Sequence, residues 1–326
     1  MSDMEDESIE GSLRASLITH GIEPEPRIEK PVVPIPTEPG LYPGLDYDTY
    51  AAIPAVNYSF LADMDRESPL HAQYIKAVKG GREDTESMMM GRAVHLALLE
   101  PEKFDSEVLP IPDVDRRTKA GKQAWAEFQK EAAGRIVLPP GQMGRVREIA
   151  HAIQRHESAR ELFLNKGVNE MTMVWDDRAT GVRIKGRVDR WTTFMRQPCL
   201  MDLKTTRDVN ERKFQRSLVD FRYNLQATLY LMGAETLRPI PDGSGLQRVF
   251  FWLAVEADGP FDIGVFQADT KIIEHGVQKI RQLLRIYKEC RTTGVWPGKN
   301  GQGVVLMDNP EFVYKADPID GMLEEI

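Results

Sequence analysis

The stretch CLMDLKTTRD, residues 199–208, begins as an apolar run and then sets Asp202 and Lys204 two positions apart. In a strand successive side chains face opposite ways, so these two charges share one face while Met201 and Leu203 take the other. Upstream, the segment GRVDRW carries Asp189. A hairpin between residues 184–191 and 199–204 would bring Asp189 beside Asp202, and two carboxylates that close repel unless a cation lies between them. Hard oxygen donors favour Mg2+ or Mn2+ over zinc. A metal held there would polarise a phosphodiester and lower the pKa of a bound water, with Lys204 orienting that water and offsetting charge in the transition state. The chemistry is hydrolytic in outline. Taken alone, Asp202 and Lys204 also fit an ordinary surface-strand ion pair of little energetic worth.

Positioning such groups needs strands and the helices that cover them. Strand-like runs fall at 170–177, 182–194, 199–205 and 248–256. Apolar spacing and end signals predict helices over 88–100, stopped by Pro101, over 118–133 and over 140–164. Two more stand in tandem across 210–237, and a last one over 270–291 is closed by Gly294. Ser59 is the expected N-cap of a short early helix, with a second start at Ser68-Pro69. The order of helices, strands, helices and strand implies an α/β fold with a mixed central β-sheet flanked by helices. Residues 1–40 are acidic and then proline-punctuated, which predicts a flexible arm before one domain over 41–326.

The 326 residues carry a net charge of −8, so no overall positive field gathers nucleic acid, and basic contacts must be local. The densest basic stretch is RRTKAGK, with Arg116, Arg117, Lys119 and Lys122. It reads either as a solvated loop or as a phosphate-contacting segment. It does not match the phosphate loop GxxxxGK[ST], and His151 and His156 do not form HExxH, so a P-loop nucleotide site and a zinc protease are not supported. The two cysteines, Cys199 and Cys290, allow no disulfide framework or four-cysteine zinc site, and a reducing cytoplasm is expected. The acidic N-terminus is unlike a signal peptide and no apolar run reaches the ~18 residues of a membrane span, so neither export nor membrane insertion is expected. Met88, Met89 and Met90 are expected to fill core space, and Trp296 to anchor the C-terminal segment.

The spacing Asp189-X12-Asp202-X-Lys204 resembles the PD-(D/E)XK nuclease superfamily. QATLY, with Gln226 and Tyr230 one helical turn apart, looks like the QxxxY element of its RecB-like branch. GRAVHLALLEPEKF looks like that branch's upstream helix, with His95 at its metal-binding histidine. DRRTKAGKQAWAEF, and DLKTTRD followed by YNLQATLYL, are similar to the nuclease domain of exodeoxyribonuclease VIII, the RecE-type enzyme of phages and prophages. Five separated motifs in order make a specific signal, where D-X-K alone is weak.

The resemblance implies a restriction-endonuclease-like core in which His95, Asp189 and Asp202 hold Mg2+, with Mn2+ able to substitute. It makes Lys204 the catalytic lysine, and Gln226 and Tyr230 the wall of the pocket. Glu170 stands where related nucleases often have a further acid. Also implied are 5′ to 3′ digestion from double-stranded DNA ends, a single-strand annealing protein as partner, a homo-oligomeric ring, and residence in a bacterial host's cytoplasm. On residue types alone, His95 also fits a hydrogen-bonded core histidine, Gln226 and Tyr230 a helix-surface pair, and Glu170 a solvated strand residue. An endonuclease, a single-strand-specific nuclease and a non-catalytic DNA-binding protein on this fold remain alternatives.

Overall fold

Apolar side chains on both sides of residues 197–206 set the architecture, with Leu200 buried in one layer and Cys199, Met201 and Leu203 in the other. A strand covered on both faces must lie inside a sheet with helices above and below it. The computed structural model describes residues 34–78, 85–301 and 303–311. Its first strand, β1 (Gly40–Tyr42), leads into helices α1 (Tyr47–Ala52), α2 (Tyr58–Arg66), α3 (Pro69–Val78), α4 (Glu86–Leu99) and α5 (Pro101–Glu107). Next come β2 (Val108–Pro110), α6 (Lys119–Glu131), β3 (Ile136–Leu138), α7 (Gln142–Arg155) and α8 (Glu157–Leu164). Strands β4 (Val168–Asp176), β5 (Arg183–Phe194) and β6 (Gln197–Thr206) follow, then α9 (Glu211–Asp220) and α10 (Tyr223–Leu237). Strands β7 (Val249–Glu256) and β8 (Ile263–Gln267) and the long α11 (Thr270–Thr293) complete the described fold.

Six strands form one sheet in the order β1-β4-β5-β6-β7-β8, while β2 and β3 pair separately. All neighbours in the large sheet are antiparallel except β6 and β7. A parallel neighbour needs a crossover, and the tandem helices α9 and α10 supply it. One core layer joins Leu200, Phe250 and Trp252 to Phe214, Leu225, Leu229 and Ile280 beneath α9, α10 and α11. The other joins Met201, Leu203, Phe251 and Leu253 to Val94, Ile149 and Leu162 of α4, α7 and α8. Each such side chain contributes about 1.5–3 kcal/mol on burial. The mixed sheet flanked by helices is the architecture the element order implied.

The departures from expectation are local. The segment 140–164 is two helices, because His156 turns extended (ψ 116°) and its Nδ1 accepts the N–H of Ala159 at 3.2 Å. Apolar spacing resumes at once after that residue, which hides the break from periodicity. Pro101 ends α4 and also opens α5, where a missing N–H costs nothing in the first turn. Asn57, not Ser59, caps α2 by accepting from Phe60 N. Strands β1, β2 and β3 are three residues each, too short for alternation to register. Trp296 packs edge-on against Phe60 and Tyr287, each 6.0 Å away between centroids. Met90 is buried, whereas Met88 is exposed. Of the expected arm, residues 1–33 lie outside the described residues, and β1 begins at Gly40.

Candidate active site

The ladder between β5 and β6 runs from Phe194–Gln197 to Arg190–Met201 and stops there. The next pair in that register is Asp189 and Asp202, so the hairpin brings the two acids to the point where the strands part. Leu203 N–H, no longer served by the ladder, donates instead to Asp189 Oδ2 at 2.7 Å. The carboxylate thus takes a strand's place in satisfying a buried backbone donor. Asp202 and Lys204 project to the α10 side, where Lys204 Nζ lies 2.6 Å from Asp202 Oδ2.

Gln226, on the inner face of α10, closes a ring with this pair. Its Nε2 donates to Asp202 Oδ1 at 2.7 Å, and its Oε1 accepts from Lys204 Nζ at 3.0 Å. An amide offers both a donor and an acceptor at that reach. Tyr230, one turn further on α10, is buried behind Gln226. The Tyr230 ring covers Gly186 of β5, where a Cβ would meet Tyr230 Cε1 at 2.9 Å, so glycine is what allows the contact. Tyr230 is therefore packing that sets the depth of Gln226.

On the other side of the sheet α4 lies close on β6, and a Cβ at Gly91 would stand 3.1 Å from Thr205 Oγ1. One turn on, His95 Nδ1 lies 2.8 Å from Gly91 O and Nε2 lies 3.0 Å from Asp189 Oδ2. A carbonyl only accepts, so Nδ1 carries a hydrogen. Nε2 then meets the carboxylate either with a second proton or with a cation between them.

The charges perturb one another as a group. Burial works against a charged His95, yet the Asp189 carboxylate raises the imidazole to about 9. Burial also works to raise Asp189, but His95, Lys204 and the Leu203 N–H hold it below the usual carboxylate range. Asp202 is pushed up to about 6 by burial, with Lys204 opposing and Asp189 reinforcing. Burial disfavours the Lys204 charge, but Asp202 beside it raises it above the ordinary lysine value, so Lys204 is an ammonium. Glu170, opposite Asp189 on β4, has a left-handed backbone (φ 51°) and pairs with Arg187. Burial and the Asp189 charge carry it up to about 7. Arg187 also reaches Glu100 Oε2 at 3.4 Å.

The donors fit a hard divalent cation. Asp202 Oδ2 is buried without an aligned hydrogen bond, and Asp189 and the His95 ring converge as carboxylate and imidazole from the opposite side. Among the described residues no three His, Cys, Asp or Glu side chains close around one point. Asp189, Asp202 and His95 are the residues that could hold a divalent cation, whose remaining ligands would be water and substrate.

The expected residues thus gather around the β5–β6 gap, His95, Asp189 and Glu170 on one side and Asp202, Lys204, Gln226 and Tyr230 on the other. The basic segment stands apart from this network. Arg116 stacks on Trp125 at 3.3 Å, Arg117 pairs with Asp115, and Lys119 and Lys122 are exposed at the start of α6. Sequence reasoning missed Tyr223, whose ring lies 4.3 Å from Lys204 Nζ, and Tyr58, which shares the electrostatics of Lys204 and Asp202. Tyr223 stands three residues before Gln226, a helical spacing that could have found it. Tyr58 carries no comparable signal.

Residues 58–307 match the family described as "PDDEXK-like domain of unknown function (DUF3799)". A comparison with curated proteins gives no match. Among solved structures, a candidate exonuclease from Eubacterium rectale shares 12% identity, covering 80% of this chain and 92% of its own, with a TM-score of 0.52. At that identity the likeness is one of fold. The protein SSO0001 shares 10% identity over 70% of this chain and 76% of its own, at a TM-score of 0.28.

Proposed function

The chain belongs to the family of PDDEXK-like domains that it matches over residues 58–307, and from that premise we propose that it is a Mg2+-dependent DNA exonuclease. The observation that carries the reading is the closed ring of Asp202, Gln226 and Lys204 beside Asp189. Two buried acids, an ammonium and an amide that fixes both are more than a surface ion pair needs. They match what phosphodiester hydrolysis asks of a protein.

A divalent cation bound here would polarise the scissile phosphate and make a bound water more acidic. Asp189, Asp202 and His95 are the residues that would hold it. Lys204 stays protonated, so its part is to place positive charge against the phosphate oxygens as charge builds there, without serving as the base. Gln226 holds the Lys204 ammonium and the Asp202 carboxylate at fixed separation, and Tyr230 holds Gln226. Glu170, raised to about 7 beside Asp189, offers a further acid.

Action from duplex ends, 5′ to 3′, and a product strand handed to an annealing protein follow from the resemblance to RecE-type enzymes, as does assembly into a ring. The fold is shared with a candidate exonuclease. End-labelled linear duplex and a covalently closed circle, each with and without Mg2+, test it. Metal-dependent loss of the linear DNA alone, abolished by Lys204→Ala, supports the reading. Cutting of the circle makes it an endonuclease, and no cutting of either overturns the assignment.

A further inference from the structure

The corner between α9 and α10 presents an aromatic ring to solvent beside this site. Phe221 is 52% exposed, and its inner face stacks on Tyr223 with centroids 5.5 Å apart at 26°. Tyr223 in turn lies under Lys204 Nζ at 4.3 Å. The order outward from the site is therefore ammonium, tyrosine, phenylalanine, solvent.

The corner is fixed although the ring is not covered. Tyr58 Oη donates to Phe221 O. Arg222 adopts a left-handed backbone (φ 61°), and its Nε donates to Asp65 Oδ2 at 2.5 Å. Asp65 is held a second time by Lys279 Nζ at 3.1 Å. Helix α2 thus clamps the peptide that carries Phe221, and α11 braces that clamp through Lys279.

We propose that Phe221 is a stacking platform for a nucleobase of the bound DNA. This rests on the nuclease reading of the Asp202–Lys204 site. An apolar side chain left half in water and held rigid is suited to a planar ligand, since every base has an apolar face to stack. Its distance from Lys204 is what favours a base over a protein partner. The two contacts, 4.3 Å and 5.5 Å, put the Phe221 ring within about 10 Å of Lys204, so a strand whose phosphodiester sits at Asp202 and Lys204 brings a base roughly three positions away to Phe221, given the ~3.4 Å rise per nucleotide.

The test uses the full chain in EDTA, so that nothing is cut, with a linear duplex bearing 2-aminopurine at one of the end-proximal positions at a time. The wild type is expected to change the fluorescence at one position. Phe221→Ala should abolish that change and weaken binding about 5- to 150-fold, the range of one lost base stack. Phe221→Trp should keep it, and Phe221→Leu, apolar but unable to stack, should behave as alanine does. Thermal unfolding of each variant separates a local effect from a lost fold. If Phe221→Leu and Phe221→Ala match the wild type in fluorescence and affinity, the platform is overturned and the exposed ring belongs to a protein-facing patch. If the wild type binds no DNA, the platform is overturned as well. A wild type that shows the fluorescence change yet cuts no DNA with Mg2+ or Mn2+ keeps the platform and overturns the nuclease reading instead.

Discussion

His95 presents Nε2 to Asp189 Oδ2 at 3.0 Å while its Nδ1 is committed to Gly91 O at 2.8 Å, so without a cation the ring is held as an imidazolium. The folded-state pKa of about 9 lies above the ordinary 6.5. A group raised in this way stabilises the fold fully below pH 6.5 and loses that contribution as pH rises through 9. In EDTA, the wild type should lose about 1–2 kcal/mol relative to His95→Asn between pH 7 and 9.5. Glu170 and Asp202, raised to about 7 and 6, act mostly below this window. Urea unfolding of both proteins across the range measures it, and parallel curves would remove His95 from the ion pair.

Gln226 is a positioning residue on the proposed mechanism, because it touches both Asp202 and Lys204. Gln226→Leu keeps the volume but leaves Asp202 Oδ1 without its donor and Lys204 Nζ with Asp202 Oδ2 alone as its partner. Displacement of a catalytic group by an ångström costs on the order of 100-fold. The expected result is a fall of that size in the single-turnover rate at saturating DNA, with DNA affinity little changed. A variant losing affinity but not rate would make Gln226 a binding residue.

Much of this site was legible because strand alternation and helix spacing are local rules. DLK put Asp202 and Lys204 on one face, and QATLY put Gln226 and Tyr230 on one side of α10. The splay of β5 from β6 was not legible, since it depends on Asp189 accepting Leu203 N–H across 14 residues. Arg187 was likewise invisible: its partners Glu170 and Glu100 lie 17 and 87 residues away. The break at His156 and the three-residue strands escaped because neither interrupts the apolar pattern over a long enough window.

Gly186→Ala tests the packing behind Gln226. The new Cβ would stand 2.9 Å from Tyr230 Cε1, and Tyr230 is closed in by the core. Overpacking of this kind costs about 1–3 kcal/mol. Because Tyr230 must move, Gln226 on the same helix should move with it, and activity should fall more than stability alone explains. Gly186→Ala combined with Tyr230→Phe keeps the ring and so should rescue nothing, whereas Gly186→Ala with Tyr230→Leu should recover part of the stability. Thermal unfolding of the four proteins reads the outcome, and a neutral Gly186→Ala would show that the ring has room to shift.

Lys185 offers the last test, at a distance from the reacting groups. It is 5% exposed, and its Nζ donates to Tyr50 O at 2.8 Å, Ala51 O at 2.7 Å and Ile53 O at 2.9 Å. Three carbonyls at the C-terminal end of α1, together with the Tyr50 ring 4.8 Å away, make a complete acceptor set for an ammonium. Burial lowers Lys185 to about 8, with Lys76 adding in the same sense. A depressed lysine binds its proton less well in the folded state, so this strain is present below pH 8 and is relieved as pH climbs towards 10.5. The three charge-assisted hydrogen bonds oppose the strain, and at pH 7 we expect them to prevail. Lys185→Met keeps the stem's packing and strands three carbonyls, which should cost about 2–4 kcal/mol at pH 7. If Lys185→Met instead proves more stable at pH 7 and loses that advantage by pH 10, burial of the charge outweighs its hydrogen bonds.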